Sequence, residues 1–165
     1  MDALTLVRQD HRKLEGLLER AEQLDGDDEE RDVLLGQLQS AIRRHIDQEE
    51  SILYMIFRER ARRAEVDLSP LERALEQHRL LERLSNELTD GVRDDTTLKA
   101  KLTVLAEQVR THLDDENTHL LTAIEDLIDD DTLIELGRRM EQRDRVIESR
   151  RQFANTVTGG PRGRR

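Results

Sequence analysis

The sequence has no cysteine. That excludes disulfides, thiolate metal sites and thiol catalysis, and it fits a reducing compartment. It also lacks any apolar run of membrane-spanning length. The opening "MDALTLVRQDH" does not have the charged-then-apolar layout of a signal peptide. Nor is there an excess of positive charge. The formal net charge is -10, whereas a face that binds nucleic acid should be basic. These absences predict a soluble, cytoplasmic protein with neither nucleic acid nor membrane as its partner.

What remains is a chain of 165 residues, of which 35% are hydrophobic and 39% charged. Its length suits one domain with a real core. Apolar residues recur at three- and four-residue intervals almost throughout, which is the helical period. Breaks fall at "DGDDEE", "EVDLSP", "TDGVRDDTT" and "DDD". At the second of these, Ser69 before Pro70 reads as a helix N-cap followed by proline in the first turn. Four helices are expected, over about 3–24, 31–64, 70–89 and 97–128. A strongly charged fifth is expected over about 131–153, on the bundle surface. Short connections between long amphipathic helices predict an all-α fold, an up-down-up-down antiparallel four-helix bundle with an additional C-terminal helix. The domain division is then 1–128 for the bundle, 129–153 for the accessory helix and 154–165 for a flexible basic tail.

A repeat sharpens this reading. "HRKLE" at His11 matches "HRLLE" at His78, and "IRRHIDQEE" around His45 matches "VRTHLDDEN" around His112. The interval from His11 to His78 is the same as that from His45 to His112. The first two helices therefore look like a duplicate of the next two. Within each hairpin the two histidines are equally far from the intervening loop, so all four should lie at one depth.

A helical wheel at about 100° per residue tests which way they point. Leu38, Ile42, Ile52 and Ile56 surround His45, with Glu49 in the middle of that arc. Leu98, Leu105, Val109 and Ala123 place His112 and Glu116 likewise. Leu4, Val7, Leu14 and Leu18 flank His11, while Leu71, Ala74 and Leu81 flank His78. Glu15 and Glu82 also follow a histidine by four, but they fall at the edge of their arcs, as boundary residues or outer partners of the site. A single histidine on an apolar face is usually an ordinary core residue. Two interior carboxylates are different, because an uncompensated ionised carboxylate is prohibitively costly in a dry core. No lysine or arginine stands on these arcs to compensate, so bound metal cations are expected. Nitrogen and oxygen ligands without sulfur favour iron, manganese or zinc.

The order His11, His45-x-x-x-Glu49, His78, His112-x-x-x-Glu116 resembles the hemerythrin-like, or HHE cation-binding, family, in its bacterial type. "DHRKLEGLL" and "HIDQEE" also read like that family's first and second helices. The resemblance implies two iron ions joined by an oxo or hydroxo bridge, reacting with dioxygen, peroxide or nitric oxide. It places His11 and His45 on one side, His78 and His112 on the other, and Glu49 and Glu116 between the ions. Two positions depart from oxygen-carrying hemerythrins: Glu82 replaces a second third-helix histidine, and Asn117 replaces a carboxylate. More anionic oxygen and fewer imidazoles favour Fe(III), and so favour redox reaction over reversible carriage.

Two residues beyond the glutamates stay open. Tyr54 is the only tyrosine, and on a regular helix it would point about 180° away from His45. A π-bulge between Glu49 and Tyr54 would turn it inward as a further candidate ligand or catalytic residue. The alternative is a plain helix–helix contact. His119 lies seven residues after His112, as a proton-relay candidate or an ordinary half-buried histidine. Two functions follow. One is a peroxide- or nitric-oxide-consuming enzyme of stress defence. The other is an oxygen- or iron-binding sensor or store without turnover, with the fifth helix as a surface for a protein partner. Zinc hydrolysis is disfavoured, because no nucleophile or base accompanies the ligands.

Overall fold

A computed structural model describes residues 1–23, 28–89 and 95–158, the side chains of 28, 89, 148 and 150–158 excepted. Of the breaks expected at 25–30 and 89–97, residues 25–27 and 90–94 lie outside the described residues, as does the tail from 159 onward, while 28–30 and 95–97 are already helical. Among the described residues the structure is helical, without strands. Helix α1 spans Ala3–Gln23, and α2 spans Asp28–Gln48. The latter continues through a π-helical segment, Glu49–Leu53 (π1), into α3, Tyr54–Ala64. Helix α4 spans Ser69–Thr89. Helix α5, Asp95–Asp115, continues through a second π-helical segment, Glu116–Leu120 (π2), into α6, Leu121–Leu127. The last helix, α7, spans Asp130–Thr158 and runs further than the pattern predicts.

Side-chain caps set several of these starts. Asp2 accepts from the Thr5 backbone N–H at 2.8 Å and from the Thr5 hydroxyl at 2.6 Å. Asp129 does the same for Thr132 at the head of α7, at 2.9 and 2.8 Å. At α4 the expected cap moves by two residues. The Asp67 carboxylate accepts from Ser69 N–H and Oγ–H at 2.9 and 2.7 Å, and Leu68 carbonyl accepts the first helical bond from Glu72. Ser69 therefore sits inside the first turn. Helix α3 stops where Glu65 turns left-handed, at φ 56°.

The long helices pack in a ring: α1 touches α2 and α5, and α4 touches the same two. Two apolar clusters fill the interior. One holds Leu14, Leu18, Leu38, Ile42, Leu81, Leu105 and Val109. The other holds Leu4, Val7, Leu53, Phe57, Leu71, Leu120, Leu121 and Ile124. Each rod passes from one cluster to the other at its histidine, so the four histidines mark a polar layer between two greasy ones.

The fifth rod is more deeply engaged than its charge suggests. Leu133, Leu136 and Met140 of α7 join the second cluster, against α1 and π1. Arg143 makes a forked pair with Asp47, both bonds at 2.6 Å, and Gln48 donates to Asp144 at 2.6 Å. Gly137 lets α7 approach the chain start. A Cβ there would collide with the Met1 carbonyl oxygen and lie 2.9 Å from the Asp2 carbonyl carbon. Gly137→Ala should therefore push α7 off its seat, at about 1–3 kcal/mol for an overpacked contact. Thermal unfolding should register a drop of several degrees; an unchanged midpoint would contradict this docking.

Candidate metal centre

The repeat's geometry is visible in the polar layer. His11, His45, His78, His112, Glu49 and Glu116 are each no more than 3% exposed. The Nε2 atoms of His45 and His112 are 3.0 Å apart, and those of His78 and His112 are 3.2 Å apart. His11 Nε2 lies 3.1 Å from Glu116 Oε2 and 3.6 Å from Glu49 Oε1. Glu49 Oε1 is 3.2 Å from His45 Nδ1, and its Oε2 is 3.3 Å from His78 Nε2. Two groups could each hold an ion: His45, Glu49, His78 and His112, and His11, His45, Glu49 and Glu116. The resemblance pairs His45 with His11 alone, whereas here His45 and Glu49 belong to both groups.

The donor set fits a metal. Nitrogens bonded to one ion at ~2.1 Å and at right angles would be about 3.0 Å apart. His11 Nε2, Glu49 Oε1 and Glu116 Oε2 are buried without a hydrogen-bond partner. Unmet lone pairs and N–H groups of this kind are costly in a protein interior. In the bare chain, protons do part of the compensation. Burial alone would lower His11, but the carboxylates of Glu116 and Glu49 outweigh it and hold it up to about 10. His78 is likewise held up to about 9 by Glu49 and Glu50 against the effect of burial. On His112 the same effect of burial prevails, and the nearby His45 and His78 rings push it further down, well below the ordinary histidine value. Glu49 resists burial and stays well below the usual carboxylate value through His45, His11 and His78.

Tyr54 points into the site. The extra residue in the π1 turn rotates everything after it by about 100°. The hydroxyl donates to Glu116 Oε1 at 2.6 Å and to Glu49 Oε2 at 3.1 Å, and the ring stacks on His78. Burial, followed by those two carboxylates, raises its pKa well above the ordinary tyrosine value, so it stands as a protonated donor. π2 follows π1 at the interval that separates the paired histidines, an inner repeat that residue pattern does not reveal.

His119 goes the other way. Its side chain is 50% exposed, and its Nδ1–H donates to the Asp115 carbonyl at 3.1 Å. Its counterpart in the first half, Ile52, is buried where α7 crosses π1. Of the two readings open for His119, proton relay or ordinary histidine, this half-exposed placement favours the ordinary one. Glu15 and Glu82 are both exposed, and the outer partners of the site are other residues. Glu50 accepts from His78 Nδ1–H at 3.0 Å, and Gln77 accepts from His112 Nδ1–H at 3.1 Å. Asp10, held by Arg44 at 2.5 Å, faces His45 Nδ1 at 3.5 Å. Sequence reasoning missed all three. The signal available was the repeat itself, since Asp10 and Gln77 each precede the first histidine of their half.

A family model described as the hemerythrin HHE cation binding domain matches residues 2–124. The crystal structure of a hemerythrin HHE cation binding domain-containing protein from Mycobacterium kansasii is similar over 96% of this chain and 94% of its own. Its TM-score is 0.78 and the identity is 18%, so this likeness is one of fold. Comparison with curated proteins gives no match. No described helix is long and apolar enough to cross a membrane.

Proposed function

We propose, from the premise that this chain belongs to the hemerythrin HHE cation-binding family, that it is a non-haem di-iron protein that consumes peroxide or nitric oxide, or reacts with dioxygen, in oxidative and nitrosative stress defence. The ring of packed helices supports an up-down-up-down antiparallel bundle over 1–128, with α7 as an accessory helix. His11, His45, Glu49, His78, His112 and Glu116 would hold two iron ions, with His45 and Glu49 standing in both candidate groups. The bound ions would supply electron transfer to and from a small oxidant. One observation carries this reading: six ligand side chains converge in a buried layer with three donor atoms unmet.

The chain's own groups account for the surroundings of such chemistry. The two apolar clusters keep bulk water from the layer. Glu50 and Gln77 fix the orientation of His78 and His112 from their far nitrogens. Tyr54 holds a proton at its hydroxyl, between Glu49 and Glu116, where it can be donated to an incoming oxygen species, and its oxygen would be a further candidate ligand for the ions.

Turnover tests the reading. The iron-loaded chain should remove peroxide, or nitric oxide together with peroxide, over many cycles, followed by an electrode or rapid mixing. His45→Ala should abolish this. Tight oxygen binding with no turnover would overturn the enzymatic reading in favour of a sensor or store.

A further inference from the structure

Among the places where the repeat is broken around the site, one bears on how firmly the metals would be held. The interval that carries His11 onto His78 carries Glu50 onto Asn117. In the second half of the site, His78 Nδ1–H donates to the Glu50 carboxylate at 3.0 Å. By the repeat, the residue that should serve His11 in this way is Asn117. It is shorter, uncharged and exposed, and His11 Nδ1 is buried with no partner. His112, the other ring found in only one of the two groups, has Gln77 on its far nitrogen.

An imidazole that gives its far N–H to a carboxylate is a stronger and better-oriented ligand through its other nitrogen. One with a buried, unmet N–H binds at the expense of that unmet group. The Tyr54 hydroxyl lies nearer Glu116 than Glu49, at 2.6 Å against 3.1 Å, so it draws more on the charge of Glu116.

Resting on the di-iron reading above, we infer that the two ions are held unequally: His45, Glu49, His78 and His112 form the tight half, with Glu50 as its positioning residue, while His11 and Glu116 complete a loose half. The loose half fills last and empties first. A residue that acts through a ligand in this way should alter affinity by about 10- to 100-fold.

The test is metal release. The chain is loaded with two equivalents of iron(II) without oxygen, then challenged with an excess of coloured chelator. Two phases of equal amplitude are expected, differing at least tenfold in rate. Glu50→Gln keeps the side chain's size and should speed only the slow phase, by about tenfold or more. Asn117→Glu should slow only the fast phase. One equivalent of ⁵⁷Fe should give a single Mössbauer doublet, which Glu50→Gln splits into two; a role confined to folding would not do this. Release of both irons in one phase, or a slow phase that Glu50→Gln leaves unchanged, overturns the inference while the di-iron reading stands. Wild-type chain that retains no iron after desalting removes that reading and the inference with it.

Discussion

Replacing His45 by alanine should empty the centre of both metals. His45 belongs to both candidate groups, and its Nε2 is 3.0 Å from that of His112. Its loss leaves Glu49 facing one nitrogen fewer in a layer that water does not reach. A buried charge deprived of its partner is strongly destabilising, typically by several kcal/mol. The metal content of His45→Ala after iron-replete expression should fall to below about a tenth of wild type, a ratio worth ~1.4 kcal/mol or more per site. His11→Ala touches one group only and should keep one ion. Glu15→Ala, at an exposed position, should keep both. Equal losses in all three variants would contradict the separation of interior ligands from edge carboxylates.

The second large effect is a pH dependence confined to the metal-free chain. His11 at about 10 and His78 at about 9 lie above the unfolded histidine value of 6.5. The stability that each contributes is fully present below pH 6.5 and is lost as pH rises through 9 to 10. His112 has the opposite sign. Its lowered value means that the unfolded chain takes up a proton below pH 6.5 that the folded chain refuses, so stability falls on the acid side. Glu49, held below 4.5, adds a loss at still lower pH. The thermal midpoint of the metal-free chain should therefore be highest near neutrality and fall steeply by about pH 10. Metal displaces those protons and takes over their task, so the loaded chain should be nearly flat over the alkaline range. Calorimetry of the two forms checks this. A metal-free midpoint that holds or rises between neutrality and that alkaline limit would contradict the proton-for-metal exchange.

Much of the site can be read from the chain because its logic is local and repeated. One shared interval ties His11 to His78 and His45 to His112. Helical phase then separates Glu49 and Glu116, which are buried, from Glu15 and Glu82, which are exposed. What phase does not supply is a change of phase. After π1 the buried face moves on by one residue: Leu53, Tyr54 and Phe57 are interior, while Ile56 is only partly buried. After π2 the same shift places Leu121 and Ile124 inside and Ala123 at the margin. The run "ILYMIF" is apolar on every side, so either register satisfies it. Periodicity therefore leaves Tyr54 open, and contacts between rods decide it.

Helix α7 is more deeply engaged with the bundle than its charge suggests, for a different reason. Its strong charge suggests a surface position, yet Leu133, Leu136 and Met140 recur at helical spacing and are buried. The charges at Arg143 and Asp144 meet Asp47 and Gln48 rather than water alone. The outer partners Asp10, Glu50 and Gln77 are hidden in the sequence because each reaches across to another rod, a relation no single helical wheel contains.

The most direct test is to count iron per chain and record its Mössbauer spectrum on protein purified from iron-replete cells. Two irons per chain, spin-coupled through a shared bridge, is the predicted result. Protein that folds with its six candidate side chains intact and carries no transition metal would contradict the claim that this buried layer exists to hold cations.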